Sequence, residues 1–256
     1  PYTATPVGVF PEEVGVADFD QDGNLDVTVA SSAPVGVTIL FGDGLGNFVN
    51  IINYMGPKAA RVSVADINAD GRADIATDAP FISSMSLYYG TPVGILGSPV
   101  TIATGGVTAD IVARDFSGDG IADLAAGTLY NNWIATFVAT APGSFGPQNN
   151  LAIAGGTYSF ICEDLYNDGS PDFLVAMGGH AFAIINGTGG GAFQPYILQP
   201  GGSSVRDCAA GDLDNDNFKD IVAATAGRGI TTLFQNASGI FPGAAIYPVP
   251  PSTYIA

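Results

Sequence analysis

One stretch constrains this chain more than any other: Asp18-Phe19-Asp20-Gln21-Asp22-Gly23-Asn24-Leu25-Asp26, which returns four times, at Asp66, Asp115, Asp164 and Asp212. The steps between first aspartates are 48, 49, 49 and 48 residues. A fixed period of that size marks a repeat architecture with one supersecondary unit per copy. Each copy sets oxygen-bearing residues at its first, third, fifth and ninth positions, Tyr166 being the exception to a good ligand, with a tight turn before the ninth. Hard divalent cations require such a shell: calcium takes about six to eight oxygens at about 2.3–2.6 Å, some of them backbone carbonyls.

Between the loops the chain reads as short strands. Val14 and Val16 alternate with smaller residues before the first loop, and Val37, Ile39 and Phe41 alternate after it, as half-buried strands require. Asp43-Gly44-Leu45-Gly46 then supplies the positive-φ positions of a hairpin turn. Four antiparallel strands per period predict an all-β fold, a β-propeller of five blades, with repeats over about 9–56, 57–105, 106–155, 156–202 and 203–250 of a single domain, 1–256. The 35 glycines and 17 prolines suit many turns better than long helices. No apolar run reaches the length of about 18 residues that spans a bilayer as a helix.

The pattern V-x-V-A-D-F-x-x-D-G-x-x-D, followed by a strand and a G-D-G-x-G-x-F turn, resembles the FG-GAP and VCBS repeats. These occur in integrin alpha-subunit propellers, some fungal lectins and many secreted bacterial proteins. The resemblance covers essentially the whole chain. It implies calcium between the first and second strands of each blade, an extracellular setting, and adhesive or ligand-binding roles. Well-known members close with seven blades whereas five repeats are present here, so the alternative is part of a larger propeller or array.

The expected ligands can be named loop by loop. Loops one and five offer four carboxylates each, Asp18, Asp20, Asp22 and Asp26, and Asp212, Asp214, Asp216 and Asp220. Loop two offers Asp66, Asn68, Asp70 and Asp74, and loop three Asp115, Ser117, Asp119 and Asp123. Loop four has Tyr166 third, leaving Asp164, Asp168 and Asp172 as the weakest set. The seventh residue should add a backbone carbonyl: Asn24, Arg72, Ile121, Ser170 and Phe218. Up to five calcium ions are expected. An EF-hand opens the same way, but it needs a glutamate at position twelve and flanking helices. Position twelve here is Val29, Thr77, Ala126, Val175 and Ala223. Metal-free Asx-turns are the other rival, set against the repulsion of three or four carboxylates within nine residues.

Charge points the same way. The net charge is -17, yet 17 of the 24 acidic residues lie inside the loops, and five divalent ions would leave -7. Seven scattered basic residues give no footprint for nucleic acid. Cys162 and Cys208 form no disulfide framework, and their shared parity before a loop predicts two buried thiols. His180 is the one histidine, and no nucleophile stands with a base, so an enzyme is not expected. Trp133, Tyr88, Tyr89 and Tyr130 could stack on a sugar, but aromatics in strands are more often core. Two sequons, Asn186-Gly187-Thr188 and Asn236-Ala237-Ser238, occupy equivalent turns and are candidate glycosylation sites.

Together these readings predict a secreted or cell-surface, non-catalytic adhesion or self-assembling module, partnered by itself or by an extracellular protein or glycan. A lectin with sites between blades is the alternative. Pro1 in place of an initiator methionine is expected of a processed product. Tyr2–Gly8 reads as a sixth outer strand where five are needed, since Ala245–Val249 already follows the fifth repeat. A spare strand of that kind suggests pairing with another chain.

Overall fold

In the computed structural model the described residues are 5–33, 36–78, 82–178, 181–201, 204–226 and 229–248. Alternating apolar residues between glycine-rich turns pair locally, because each strand's nearest partner in sequence lies one hairpin away. The first sheet comprises β1 (Val9–Ala17), β2 (Asp26–Ala33), β3 (Val37–Gly42) and β4 (Phe48–Tyr54). The second comprises β5 (Val62–Ala65), β6 (Asp74–Asp78), β7 (Ser84–Tyr88) and β8 (Val100–Ala103). In the third, β9 (Thr108–Arg114), β10 (Asp123–Thr128), β11 (Trp133–Phe137) and β14 (Asn149–Ala152) are joined in that order. A two-stranded hairpin, β12 (Ala139–Ala141) with β13 (Ser144–Phe145), is inserted before the last of them. The fourth holds β15 (Thr157–Glu163), β16 (Asp172–Met177), β17 (Ala181–Ile185) and β18 (Ile197–Pro200). The fifth holds β19 (Val205–Gly211), β20 (Asp220–Thr225), β21 (Gly229–Leu233) and β22 (Ala244–Tyr247).

The fold is therefore all-β, with no helix among the described residues and five four-stranded sheets in sequence order. The first, second, fourth and fifth sheets are antiparallel throughout. Each acidic loop joins the first strand of a sheet to the second. The chain divides into two compact units: Pro1–Asp115, Gly120–Ala126 and Ala135–Asn149 form one, and Phe116–Asp119, Gly127–Ile134 and Asn150–Ala256 the other. The division passes through the third sheet.

Within the first unit the core gathers Phe19, Val37, Ile39, Val62, Ile75 and Tyr88, with residues from both its first two sheets. Within the second, Leu165, Leu174, Phe182, Val205, Ile221 and Phe241 do the same for the fourth and fifth. Phe173 of that unit meets Phe116 edge-on at 5.4 Å and stacks on Phe193 at 4.6 Å. Second and third strands are buried on both faces in most sheets, which is why β3, β6, β7, β10 and β16 are buried along their whole length. First strands of sheets one, four and five carry a register shift at the same place, between Pro11 and Glu13, Thr157 and Ser159, and Val205 and Asp207.

One expectation about strands changes within the described residues. Residues 5–8 belong to no strand, and β1 starts at Val9, so among the described residues no sixth outer strand is left over. Pro6 has no N–H to give a ladder, and that favours a start beyond it. β22 completes the fifth sheet by pairing with β21. Residues 1–4 and 249–256, including most of the terminal segments expected to exchange, lie outside the described residues. Cys162 and Cys208 are both buried and not in a disulfide, as their parity predicts, and the Cys208 thiol lies 3.7 Å from the Leu174 carbonyl oxygen.

Candidate metal centres

Each loop is held by its own carboxylates. In loop one, Asp18 accepts the amides of Asp22 through Oδ1 and Gly23 through Oδ2, at 3.1 and 2.9 Å. The first aspartates of loops two, four and five repeat the pair with Asp70 and Gly71, Asp168 and Gly169, and Asp216 and Asn217. In loop three Asp115 accepts Gly120 N–H at 2.7 Å. Fifth-position aspartates accept the amide two residues on, so Asn24, Arg72, Ser170 and Phe218 each donate to the loop. Third-position Asp20, Asn68 and Asp214 accept the fifth-position amide.

The ninth aspartate does something the spacing alone does not reveal. Asp26 is fully buried, and it accepts Phe19 N–H through Oδ2 and Gly42 N–H through Oδ1, both at 2.8 Å. One carboxylate thus ties the loop to the far end of the third strand. The Oδ1 bond recurs in every sheet, from Gly90 to Asp74, Ala139 to Asp123, Gly187 to Asp172 and Gln235 to Asp220. The Oδ2 bond recurs from Ile67, Leu165 and Leu213. Each Asp26 oxygen, accepting one amide, keeps a second lone pair for a cation, whereas Asp74 Oδ2 also accepts Asn68 N–H at 3.1 Å.

The fourth loop position is a second feature that sequence reasoning missed. Gln21, Ala69, Asn167 and Asn215 all have φ between 54° and 64°, and Gly118 has 81°. The two asparagines and the glycine are the signal that was available, since these residues favour the left-handed region. The sixth position is left-handed as expected, including Asn217 at 70°. Position four also reaches outward: Gln21 Nε2 donates to Gly71 O at 2.9 Å, and Asn167 Nδ2 to Asn217 O at 3.0 Å. Each bond joins one loop to the next.

The first, third and fifth carboxylates converge. Asp18, Asp20 and Asp22 each offer an oxygen within 4.8 Å of the others, and so do Asp212, Asp214 and Asp216. Desolvation holds Asp20 above its ordinary pKa, with the charges of Asp22, Asp26 and Asp18 adding to the shift. Asp214 is raised by desolvation and by Asp216, Asp220 and Asp212. Burial raises Asp74 as well. Such an all-oxygen, like-charged set suits a hard cation, which would relieve the repulsion that adds to the shifts caused by desolvation.

Loop four departs from the rest. The Tyr166 ring lies 3.3 Å from where a Cβ on Gly239 would stand, and burial holds its phenol above the ordinary pKa. The third position of this loop therefore packs against the turn of the next sheet. Calcium titration calorimetry should show Asp22→Ala losing affinity at one site by at least tenfold, with Tyr166→Ala leaving the isotherm nearly unchanged. Equal losses in both variants would contradict the ranking.

Asp172 in the same loop is pushed up to about 6, chiefly by burial, with Asp168 and Asp164 adding to the shift and the Gly187 and Leu165 amides opposing it. Its folded-state value lies above the ordinary 3.8, so the native state binds the proton first. The resulting stabilisation is complete below about 4 and is lost as pH rises through about 6. In chelator, the melting temperature should therefore rise as pH is lowered from about 7 to about 5. A falling melting temperature over that window would contradict the assignment.

Other expected residues are placed as follows. Tyr88 is buried, Tyr89 and Trp133 are half-buried, and Tyr130 is exposed. Asn186 is half-buried, whereas Asn236 lies in an exposed turn and accepts the amides of Ser238 and Ile240. His180 lies outside the described residues. No helix among the described residues is long and apolar enough to cross a membrane.

The family model of the FG-GAP-like repeat matches residues 18–77 and 164–223, which contain loops one, two, four and five. No curated protein matches the chain by sequence. Among solved structures it is similar to an Agrocybe aegerita lectin described for specific recognition of non-reducing terminal N-acetylglucosamine, with TM-score 0.66 and 18% identity over 93% of this chain. It is similar to BBS1N, solved in complex with ARL6DN, with TM-score 0.66 and 13% identity over 93% of this chain. It is also similar to the V. cholerae biofilm matrix protein Bap1, with TM-score 0.57 and 15% identity over 93% of this chain. The chain spans 66%, 69% and 39% of those three chains. At such identities the likeness establishes the propeller-like fold alone.

Proposed function

We propose that this chain, which carries FG-GAP-like repeats, is an extracellular calcium-stabilised β-propeller-type module that adheres and assembles without catalysing a reaction. Its five sheets are read as five blades. The observation that carries the reading is the acidic loop, repeated at the same junction of every sheet and clamped there by the ninth aspartate. Calcium is the cation of choice because the donors are carboxylates, amide oxygens and a hydroxyl, with no nitrogen or sulfur among them. The ion would link first and second strands and neutralise the charge gathered there.

A structural role for these carboxylates also accounts for their raised pKa values without any proton-transfer chemistry. Asp78, raised by burial, is likewise occupied by the Ala60 and Arg61 amides, both at 2.7 Å. The repeat type and the biofilm matrix protein among its structural neighbours support the extracellular setting.

A lectin is the second reading, supported by the N-acetylglucosamine-recognising neighbour and by exposed Tyr130 three residues from half-buried Trp133. A glycan array probed in calcium separates the two. An adhesion and assembly module gives no saccharide preference, while saturable binding to one terminal sugar, abolished by Tyr130→Ala, would overturn it in favour of the lectin.

A further inference from the structure

Four of the acidic loops are gripped from outside by a turn of the sheet that follows. Between β7 and β8 of the second sheet the chain passes through Gly94 and Leu96. Gly94 stands on loop one: a Cβ there would lie 2.6 Å from the Cβ of Asp20 and 3.0 Å from its Cα. Leu96, two residues on, is buried in one cluster with Phe19, the second residue of the loop. One turn thus holds two consecutive loop residues, Phe19 through its ring and Asp20 at the root of its side chain.

The grip recurs inside each compact unit. In the first, Gly143 of the β12–β13 hairpin would place a Cβ 3.4 Å from the Cβ of Asn68 in loop two, and its N–H donates to Ile67 O at 3.4 Å. In the second, Gly190 donates its N–H to Ser117 O at 2.9 Å, and Phe193 meets Phe116 at 5.6 Å. Gly239 would bring a Cβ 3.3 Å from the Tyr166 ring, and Phe241 shares a cluster with Leu165. Asp20, Asn68, Ser117 and Tyr166 are all third-position residues. The four glycines have φ between 61° and 72°, the left-handed region that side chains enter at a cost. At Gly94 glycine is required twice, by this conformation and by the closeness of Asp20.

The third position bears on the cation. Asp20 and Asn68 each turn Oδ1 toward the amide of the fifth residue, at 3.2 and 3.1 Å, and Asp20 converges with Asp18 and Asp22. Gly94 touches the Cβ and Cα of Asp20, so the turn fixes the base of a side chain whose carboxylate belongs to the loop. Calcium tolerates little displacement of such an oxygen, since its ligand distances span only about 2.3–2.6 Å.

We infer that Gly94 and Gly143 are positioning residues for the cation sites of loops one and two, acting through the third-position side chains Asp20 and Asn68. The inference deepens the calcium reading above and rests on it. Each of these sites is then composite: its donors lie on one sheet, and the surface that aims the third donor lies on the next. Cation binding and the seating of the turn favour each other, because whichever is in place holds the third residue where the other requires it. Loop four carries the same grip on Tyr166, where no carboxylate or amide stands to be aimed.

The test is calcium titration calorimetry on the full chain. Gly94→Ala should lower affinity at one site by about tenfold, within the range of couplings between linked sites. Gly143→Ala should weaken a second site by less, its contact being looser, and it decides the matter should Gly94→Ala not fold. Gly239→Ala carries the same backbone strain, at φ 71°, and should leave the isotherm as it is, which separates positioning from general destabilisation. In an Asp20→Ala background, where the carboxylate is gone, Gly94→Ala should cause no further loss of affinity. A Gly94→Ala loss of equal size with and without that carboxylate would overturn the positioning role. So would calcium uptake by Gly94→Ala and Gly143→Ala that matches the wild type, with the calcium reading left standing. A wild type that takes up no calcium would overturn both.

Discussion

Chelating calcium lowers the melting temperature of this protein sharply if the loops hold the ions proposed for them. A ligand that binds only the native state stabilises it by RT ln(1 + [L]/Kd), about 2.7 kcal/mol per site at a hundredfold excess over Kd. Two loaded loops would then supply about 5 kcal/mol, comparable to the whole stability of many domains, about 5–15 kcal/mol. The loss is compounded by the protein's own charge, -17 without cations. Differential scanning calorimetry in calcium and in chelator measures the effect. Melting that is indifferent to chelator would remove the structural role of the metal, whatever the array of sugars shows.

Asp26→Ala destabilises by a different route, and the difference is measurable. The substitution leaves the buried amides of Phe19 and Gly42 without an acceptor. An orphaned buried donor costs about 1–3 kcal/mol, so the pair costs about 2–6 kcal/mol. This loss should persist in chelator, because the two hydrogen bonds are made by the protein alone. Asp22→Ala should destabilise in calcium and have little effect in chelator, since the Asn24 groups that its carboxylate accepts are at exposed positions where water can replace it. Denaturant unfolding of both variants under the two conditions distinguishes clamp from ligand. If the Asp26→Ala loss vanishes in chelator, the clamp contributes nothing of its own.

These two experiments mark where the sequence is a good guide and where it is not. The loops and most strands were legible because their signals are side chains at fixed spacing: Val37, Ile39 and Phe41 alternate, and the Asp-x-Asp pattern returns on a fixed step. The expected strand through Val37, Ile39 and Phe41 is where the structure has it, as β3. The clamp was not legible, because its other partner is a main-chain amide 15 or 16 residues further on. Any residue type provides that amide, and Gly42, Ala139 and Gln235 all do. Tyr166 was read as a poor ligand, but its seat against Gly239 depends on a turn about 70 residues away that no local pattern announces. Of the expected Tyr2–Gly8 strand only residues 5–8 are described, and they pair with nothing, Pro6 among them having no N–H to donate.

The bonds from Gln21 to Gly71 O and from Asn167 to Asn217 O bear on how such a chain can lengthen or shorten. In both, the giver is a fourth-position amide side chain and the receiver a sixth-position carbonyl, so a duplicated repeat brings its own receiver and, where position four is Gln or Asn, its own giver. Splicing in a whole copy creates junctions of a type the molecule already makes. Inserting one residue inside a period does the opposite, because it shifts one end of the ninth-position clamp away from the other and turns every following strand residue to the wrong face. Growth by entire periods is therefore structurally cheap and growth by single residues is not, which leaves the surface turns, remote from both ends of the clamp, as the places where insertions are tolerated.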